Sequence, residues 1–240
     1  MSDKKKVLII CHSAAGQMYF GVLLSRIWFS PVLAKTPDEG IRLARKSQFS
    51  LTLLDGDVAE PELKTAITLL KADQSLKDFP LVVCMTIDDP AKNKALLEQG
   101  CSAVLTKPLD LAIMYEVLAR LCGQPRTTPR TAVKMNVAIA EGIPEKSLTS
   151  VNISEGGLYL RTIQPLQEGQ RLHIRFTLPH DTEAIQVAAE VVRTSLLGTQ
   201  FDVEPGMGLR FVDIPQEAQL KIRNFIQWEM TGDLEWQANI

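Results

Sequence analysis

Two arginines with a short spacing stand at the start of the second half of the chain. Arg126 and Arg130 lie in Gly123–Arg130, a segment with one glycine and two prolines that predicts a linker. A guanidinium group presents a planar fork of donors that fits a phosphate group. The pair therefore suits a phosphate-bearing ligand, although two solvated linker residues would give the same spacing.

A second polar motif follows 22 residues after Arg130, at Asn152-Ile153-Ser154-Glu155-Gly156-Gly157. The Asn152 amide offers both donor and acceptor atoms, and Ser154 adds a hydroxyl group. Gly156 and Gly157 permit a turn with a close approach of the backbone. Such a segment suits a polar binding surface, and it is also typical of an ordinary turn at the end of a strand.

The elements of the first half are short apolar runs that alternate with helix-like stretches. The runs are Val7–Ile10, Pro31–Ala34, Leu51–Leu54, Leu81–Met85 and Ala103–Leu105. Near-continuous apolar strands separated by helices indicate an open parallel sheet that is covered on both faces. Ligands of such sheets bind beyond the carboxyl ends of the strands. We therefore predict an α/β domain over residues 1–122.

After the linker of residues 123–130 the pattern changes to short strands separated by turns. The predicted strands are Thr131–Ala140, Leu148–Ile153, Leu158–Thr162, Arg171–Leu178, Ile185–Thr194, Thr199–Val203 and Gly208–Asp213. Alternation along them is typical of an antiparallel barrel or sandwich. Pro215–Met230 predicts a terminal helix. We expect these elements to form a second domain over residues 131–240.

The polar motifs of the second half, taken in order, resemble the PilZ domain from Pro125 to about Trp228. That family has RxxxR, then [D/N]x[S/A]xxG, then a late GxGxxF-like strand, here Gly206–Phe211. The resemblance implies a PilZ-type antiparallel β-barrel with a C-terminal helix, and cyclic di-GMP as its ligand. It also implies a ligand site made of Arg126, Arg130, Asn152, Ser154, Gly156 and Gly157.

The first half resembles the receiver domains of response regulators across its length, most strongly at Ser50–Asp55 and Ala103–Pro108. This implies a flavodoxin-like (βα)5 fold. Asp55 matches the aspartate that accepts a phosphoryl group, Thr86 the hydroxyl residue after the fourth strand, and Lys107 the lysine after the fifth. A carboxylate nucleophile needs a cation and a hydroxyl near the phosphoryl oxygens.

Two positions depart from the receiver pattern. Cys11, His12 and Ser13 follow the first strand where the family has an acidic pair that holds magnesium, and Val104 replaces an aromatic residue. Magnesium requires oxygen ligands, so it is not expected here. Either Asp55 is phosphorylated with help from Asp57 or Glu60, or it belongs to the architecture of the sheet edge and the domain is a docking surface. We favour the docking surface.

Composition and charge exclude several other classes of protein. The net charge of −2 argues against general nucleic-acid binding. We found no apolar stretch long enough for a membrane span and no signal peptide, so we predict a cytoplasmic protein. The four cysteines predict buried free thiols rather than disulfides.

The sequence thus predicts a signalling protein, not an enzyme, that binds cyclic di-GMP and responds by a change in domain arrangement or in contacts with a protein partner of unknown identity. The alternative is an interaction adaptor with an unphosphorylated pseudo-receiver and little or no nucleotide binding.

Overall fold

A computed structural model of the protein describes residues 4–123, 128–140, 146–196, 204–232 and 234. The chain divides into two compact units. Residues 1–127 and 230–240 belong to the first, and residues 128–229 belong to the second. Arg126 and the predicted strand Thr199–Val203 lie outside the described residues.

The first unit contains a five-stranded parallel sheet. Its strands are β1 (Lys5–Ile10), β2 (Phe29–Ala34), β3 (Leu51–Asp55), β4 (Leu81–Met85) and β5 (Ala103–Thr106). Their order across the sheet is β2-β1-β3-β4-β5, and every pair is parallel. This is the flavodoxin-like order, so the predicted α/β fold is confirmed. β4 is buried along its whole length, as expected for a strand covered on both faces.

Five helices connect the strands and cover the sheet. They are α1 (Ala14–Arg26), α2 (Pro37–Ala44), α3 (Glu60–Ala72), α4 (Pro90–Glu98) and α5 (Leu111–Leu121). The Thr36 hydroxyl accepts a hydrogen bond from the Glu39 amide at 3.2 Å, which caps α2. Ser13 caps α1 by accepting a hydrogen bond from the Gly16 amide at 3.3 Å.

The parallel arrangement brings three predicted site residues to one edge of the sheet. Asp55 is the last residue of β3, Thr86 follows β4, and Lys107 follows β5. Because the carboxyl ends of neighbouring parallel strands meet at the same edge, these side chains lie close together. All four cysteines of this unit are free and buried, as predicted.

The second unit is a closed antiparallel barrel followed by helix α6 (Gln216–Thr231). Its strands are β6 (Thr131–Ala132), β7 (Asn136–Ala140), β8 (Lys146–Ser154), β9 (Gly157–Arg161), β10 (Arg171–Thr177), β11 (Ala184–Ser195) and β12 (Gly206–Val212). β8 pairs with β7 on one side and with β9 on the other. From β9 the pairings continue in turn through β12, β11 and β10 and return to β7. Six strands therefore close the ring, and the predicted barrel with its terminal helix is confirmed.

The barrel core follows the alternation seen in the sequence. β10 alternates strictly between exposed and buried residues, with Leu172, Ile174 and Phe176 pointing inward. The rings of Phe176 and Phe211 stack with their centroids 6.1 Å apart. The other face of each strand is therefore free to carry polar side chains.

The prediction of one continuous strand over Thr131–Ala140 is wrong. The strand is interrupted at residues 133–135, where the buried hydroxyl of Ser150 forms hydrogen bonds with the backbone in place of a regular strand pairing. Ser150 Oγ donates to the Val133 carbonyl oxygen at 2.6 Å and accepts from the Met135 amide at 3.0 Å. The short strand β6 is thereby fixed against the end of β8, where it pairs Ala132 with Asn152.

No helix among the described residues is both long enough and apolar enough to span a membrane.

Candidate functional site

Five of the six predicted PilZ-type residues come together on the barrel where β6, β8 and β9 lie side by side. β6 pairs Thr131 with Ile153, so Arg130, the residue before β6, comes next to Ser154. The turn between β8 and β9 pairs Ser154 with Gly157. We call the surface formed by Arg130, Asn152, Ser154, Gly156 and Gly157 the motif face. Arg126 lies outside the described residues.

Asn152 carries an unpaired polar atom within this face. Its side-chain oxygen is buried, and it has no hydrogen-bond partner among the described residues. A buried acceptor without a partner costs roughly 1–3 kcal/mol, and most buried polar atoms avoid this cost by pairing. Asn152 is thus suited to accept a hydrogen bond from a bound donor.

Ser154 and Gly157 hold the turn between β8 and β9, and the sequence indicated the turn but not the partners of these two residues. The Ser154 hydroxyl is buried and donates to the Gly157 carbonyl oxygen at 3.1 Å, which holds the turn. A Cβ atom on Gly157 would overlap the carbonyl oxygen of Leu209 and lie 3.2 Å from the Arg210 Cα atom. The glycine therefore permits the close approach of β9 and β12. Contact of either residue with a ligand stays a prediction.

Gly156 differs from Gly157 although the two are neighbours in the same turn. A Cβ atom at Gly156 would meet no other atom within 4 Å. Its carbonyl oxygen accepts a hydrogen bond from the Phe211 amide at 2.9 Å. The backbone of Gly156 is thus fixed, while the space above its Cα atom is open.

A second cluster lies at the carboxyl edge of the parallel sheet. Lys107 Nζ is 2.6 Å from Asp55 Oδ1 and 2.5 Å from Asp57 Oδ2, and its side chain is fully buried. Cys11 Sγ donates to Asp55 Oδ2 at 3.0 Å. Thr86 donates to Asp57 through both its amide, at 2.9 Å, and its hydroxyl. Thr86 therefore contacts Asp57 rather than Asp55, and each carboxylate oxygen has a donor.

The chemistry of this cluster follows from its burial and hydrogen bonds. Burial, strengthened by the hydrogen bond to Asp55, raises the pKa of the Cys11 thiol to about 12, so the group is a neutral donor. Burial alone would raise the pKa of Asp57, but hydrogen bonds from Lys107 and Thr86 outweigh it and hold that pKa below its usual value. From the sequence, Cys11 is recognised at this site only as a replacement for an acidic residue of the receiver pattern. Its hydrogen bond to Asp55 joins residues at the ends of two different strands, so local sequence does not reveal it.

The side chains of this cluster do not fit magnesium, the ion that the receiver resemblance implies. Magnesium requires oxygen ligands in octahedral geometry, whereas Cys11 supplies a protonated sulfur atom. Asp55 and Asp57 already share the Lys107 ammonium group. Among the described residues, no group of three or more histidine, cysteine, aspartate or glutamate side chains is arranged to hold a metal.

Residues 124–228 match the family model "PilZ domain". A sequence comparison with curated proteins finds no match.

Three solved structures illustrate the similarities in fold. Chemotaxis protein CheY4 of Vibrio cholerae is 19% identical, covers 49% of this chain and 98% of its own, and has a TM-score of 0.45. The receiver domain of the sensor histidine kinase PA1611 from Pseudomonas aeruginosa is 17% identical, covers 50% of this chain and 98% of its own, and has a TM-score of 0.45. The inhibitor of motility MotI/DgrA of Bacillus subtilis is 26% identical, covers 45% of this chain and 52% of its own, and has a TM-score of 0.39.

Residues 124–228 therefore match the PilZ domain, and in the chain they follow a unit with the receiver-type, flavodoxin-like fold. PilZ domains form a family of cyclic di-GMP-binding domains.

Proposed function

We propose that this protein binds cyclic di-GMP on the motif face and in the arginine linker, and that binding changes the arrangement of its domains or its contacts with a protein partner. The proposed ligand residues are Arg126, Arg130, Asn152, Ser154, Gly156 and Gly157. The proposed domains are residues 1–122 and 131–240, joined by the linker 123–130.

The unpaired oxygen of Asn152 is the observation that carries this proposal. It is buried, and the residue pairs with Ala132 on the strand that Arg130 precedes. Guanine carries N–H donors on its Watson–Crick edge, and each would satisfy an acceptor of this kind. Arginine complements the same ligand because it binds phosphate or the O6/N7 edge of guanine with two parallel hydrogen bonds.

The supporting residues form a surface on which a flat ligand can lie. Ser154 uses its hydroxyl to bind the Gly157 carbonyl, and Gly156 leaves open space above its Cα atom. We expect Ser154 and Gly157 to act by holding the turn in place, and Gly156 by admitting the ligand close to the backbone.

The response is proposed to arise from the position of the arginines. Arg126 and Arg130 belong to the segment that joins the two domains, and a ligand that binds them also restrains that segment. A ligand shifts a conformational equilibrium only through its differential affinity for the two states. Here the favoured state is the one in which the linker lies on the barrel.

A second function is proposed for the receiver-type unit, namely docking of a partner without phosphorylation. The observation that favours it is the closed network around Asp55, in which Lys107 and Cys11 already donate to the two carboxylate oxygens. A phosphoryl donor would have to displace these contacts without the metal that normally assists. If nucleotide binding is absent, this docking role becomes the leading function of the whole protein.

Isothermal titration calorimetry of cyclic di-GMP into the full chain tests nucleotide binding. We expect micromolar or tighter binding by the native protein and none by the double variant Arg126→Ala, Arg130→Ala. Asn152→Ala should weaken binding roughly tenfold or more, since a hydrogen bond to a base is worth about 1–3 kcal/mol.

Arg161→Ala is the matched control for these variants. Arg161 lies at the other end of β9, opposite Thr149, where it forms two hydrogen bonds with Glu204 at 3.0 and 2.8 Å. It removes one positive charge, as each of the two linker substitutions does, and its binding should equal that of the native protein. No heat from the native protein, with a flat thermal-shift assay, would refute the proposal.

A further inference from the structure

A row of paired residues crosses the motif face and continues beyond it. β8 pairs Ser154 with Gly157, and β12 in turn pairs Gly157 with Arg210. Arg130 adjoins Ser154 on the opposite side through the pairing of β6 with β8. The row therefore runs from Arg130 through Ser154 and Gly157 to Arg210, with an arginine at each end.

The two central positions of this row carry no projecting side chain. Ser154 is buried with its hydroxyl bonded to the Gly157 carbonyl oxygen, and Gly157 has no side chain. Adjacent strands lie about 4.8 Å apart, so three spacings, or about 14 Å measured along the curved surface of the barrel, separate the backbones of Arg130 and Arg210. The short central residues thus leave a gap between these two long cationic side chains, which we call the depression.

Arg210 faces outward and is held in place on the far side of this depression. It alternates with the buried residues Leu209 and Phe211, so it lies on the outer face of β12. Its Nη2 atom is 3.2 Å from Glu190 Oε2, on the neighbouring strand β11. Its side chain remains 61% exposed. An arginine has five N–H donors, so this ion pair leaves donors available toward the depression.

We propose that Arg210 is a third arginine of the nucleotide site and binds a phosphate of the cyclic dinucleotide on the side opposite Arg130. This inference rests on the proposed function, and it adds a residue that lies outside both short motifs. A cyclic dinucleotide has two phosphate groups, and arginines on both sides of the depression would neutralise both. Glu190 acts as the positioning residue, because it fixes the direction of the Arg210 side chain.

Calorimetric titration of cyclic di-GMP into four variants of the full chain tests this inference. Arg210→Ala should lower affinity at least about tenfold, as expected for the loss of a hydrogen bond between charged groups. Arg210→Lys should retain part of the lost affinity, because it keeps the charge but not the fork of donors. Arg161→Ala should bind like the native protein, and Arg130→Ala should bind more weakly.

The variants also separate binding from folding. Arg210→Ala leaves Glu190 near Arg171, whose Nε is 3.9 Å away, so we expect its melting temperature to stay close to that of the native protein. If Arg210→Ala loses affinity together with thermal stability and Arg210→Lys restores both in full, the residue has a structural role and the inference fails.

Failure of this inference is distinguishable from failure of the proposed function. Native affinity in Arg210→Ala, together with weakened binding in Arg130→Ala, would refute the role of Arg210 in the nucleotide site. The proposed binding of cyclic di-GMP would still stand. The absence of binding by the native protein would overturn both.

Discussion

At the scale of single residues, the sheet edge of the first unit is built around one buried cation. Lys107 contacts both Asp55 and Asp57, and the neutral Cys11 thiol donates to the remaining oxygen of Asp55. Two carboxylates this close together repel each other unless a cation lies between them. The cluster is therefore satisfied by protein groups alone.

Cys11→Asp should create a site for a divalent cation at this edge. The thiol lies 3.0 Å from Asp55, so a carboxylate in its place would put two sets of anionic oxygens side by side. We expect titration calorimetry with Mg²⁺ or Mn²⁺ to detect binding by Cys11→Asp, but not by the native protein or by Cys11→Ser, which keeps a neutral donor. Stoichiometric Mg²⁺ binding by the native protein would contradict this prediction.

Thr86→Val should raise the pKa of Asp57 toward its ordinary value of 3.8, because the hydroxyl bond that favours the carboxylate is lost. A depressed pKa stabilises the folded state above the unfolded value, and this stabilisation is lost as the pH falls through the folded pKa. The variant should therefore lose less stability in acid. Carboxyl-carbon NMR shifts measure the pKa, and an unchanged Asp57 titration would exclude the Thr86 contact.

At the scale of elements, β9 and β12 approach each other closely at both ends of their pairing, and a glycine permits the approach at each end, Gly157 at one and Gly206 at the other. β9 and β12 approach so closely that a side chain at Gly157 would overlap the Leu209 carbonyl oxygen. The neighbouring Gly156 has no such constraint, although both belong to the same turn. These two positions therefore form a matched pair for mutagenesis.

Gly157→Ala should lower the free energy of unfolding by about 1–3 kcal/mol, since the two strands must move apart to admit the methyl group. Gly156→Ala should have almost no effect on stability, because its Cβ atom would meet nothing within 4 Å. Urea denaturation monitored by circular dichroism compares the two variants. Equal stabilities would show that the close contact at Gly157 is not required.

At the scale of the whole molecule, the proposed coupling depends on the segment between residues 123 and 130. A nucleotide that binds its arginines would stabilise the bound state by mass action and restrain the segment at the same time. In this proposal the coupling depends on the connection between the domains, while recognition depends on both the barrel and the linker arginines.

Cyclic di-GMP should slow cleavage of the linker by trypsin, which cuts after arginine and lysine. Protection is expected after Arg126 and Arg130 in the native protein, because a restrained segment enters the protease less readily. Asn152→Ala keeps both cleavage sites and serves as the control. At a ligand concentration below the dissociation constant of this variant, it should show no protection. Equal cleavage rates with and without ligand in the native protein would rule out the linker mechanism.

Much of the architecture is determined by local sequence patterns. The apolar runs and caps define five βα units, and alternation in segments such as Arg171–Leu178 defines the strands of the barrel. The polar motifs likewise identify Arg130 and Asn152 by residue type and spacing along the chain. These features are predictable because they depend on residues that are close together in the chain.

Only the tertiary structure decided which of these residues meet and which atoms remain unpaired. Ser150 interrupts the strand predicted over Thr131–Ala140. Cys11, which follows β1, contacts Asp55 at the end of the neighbouring strand β3, and the register of β9 and β12 places Arg210 beside Gly157. Each contact joins residues separated by at least 15 positions, and local periodicity contains no information about such pairings. The sequence by itself determined the order of the elements and the motif residues, whereas strand pairing determined the site that they form.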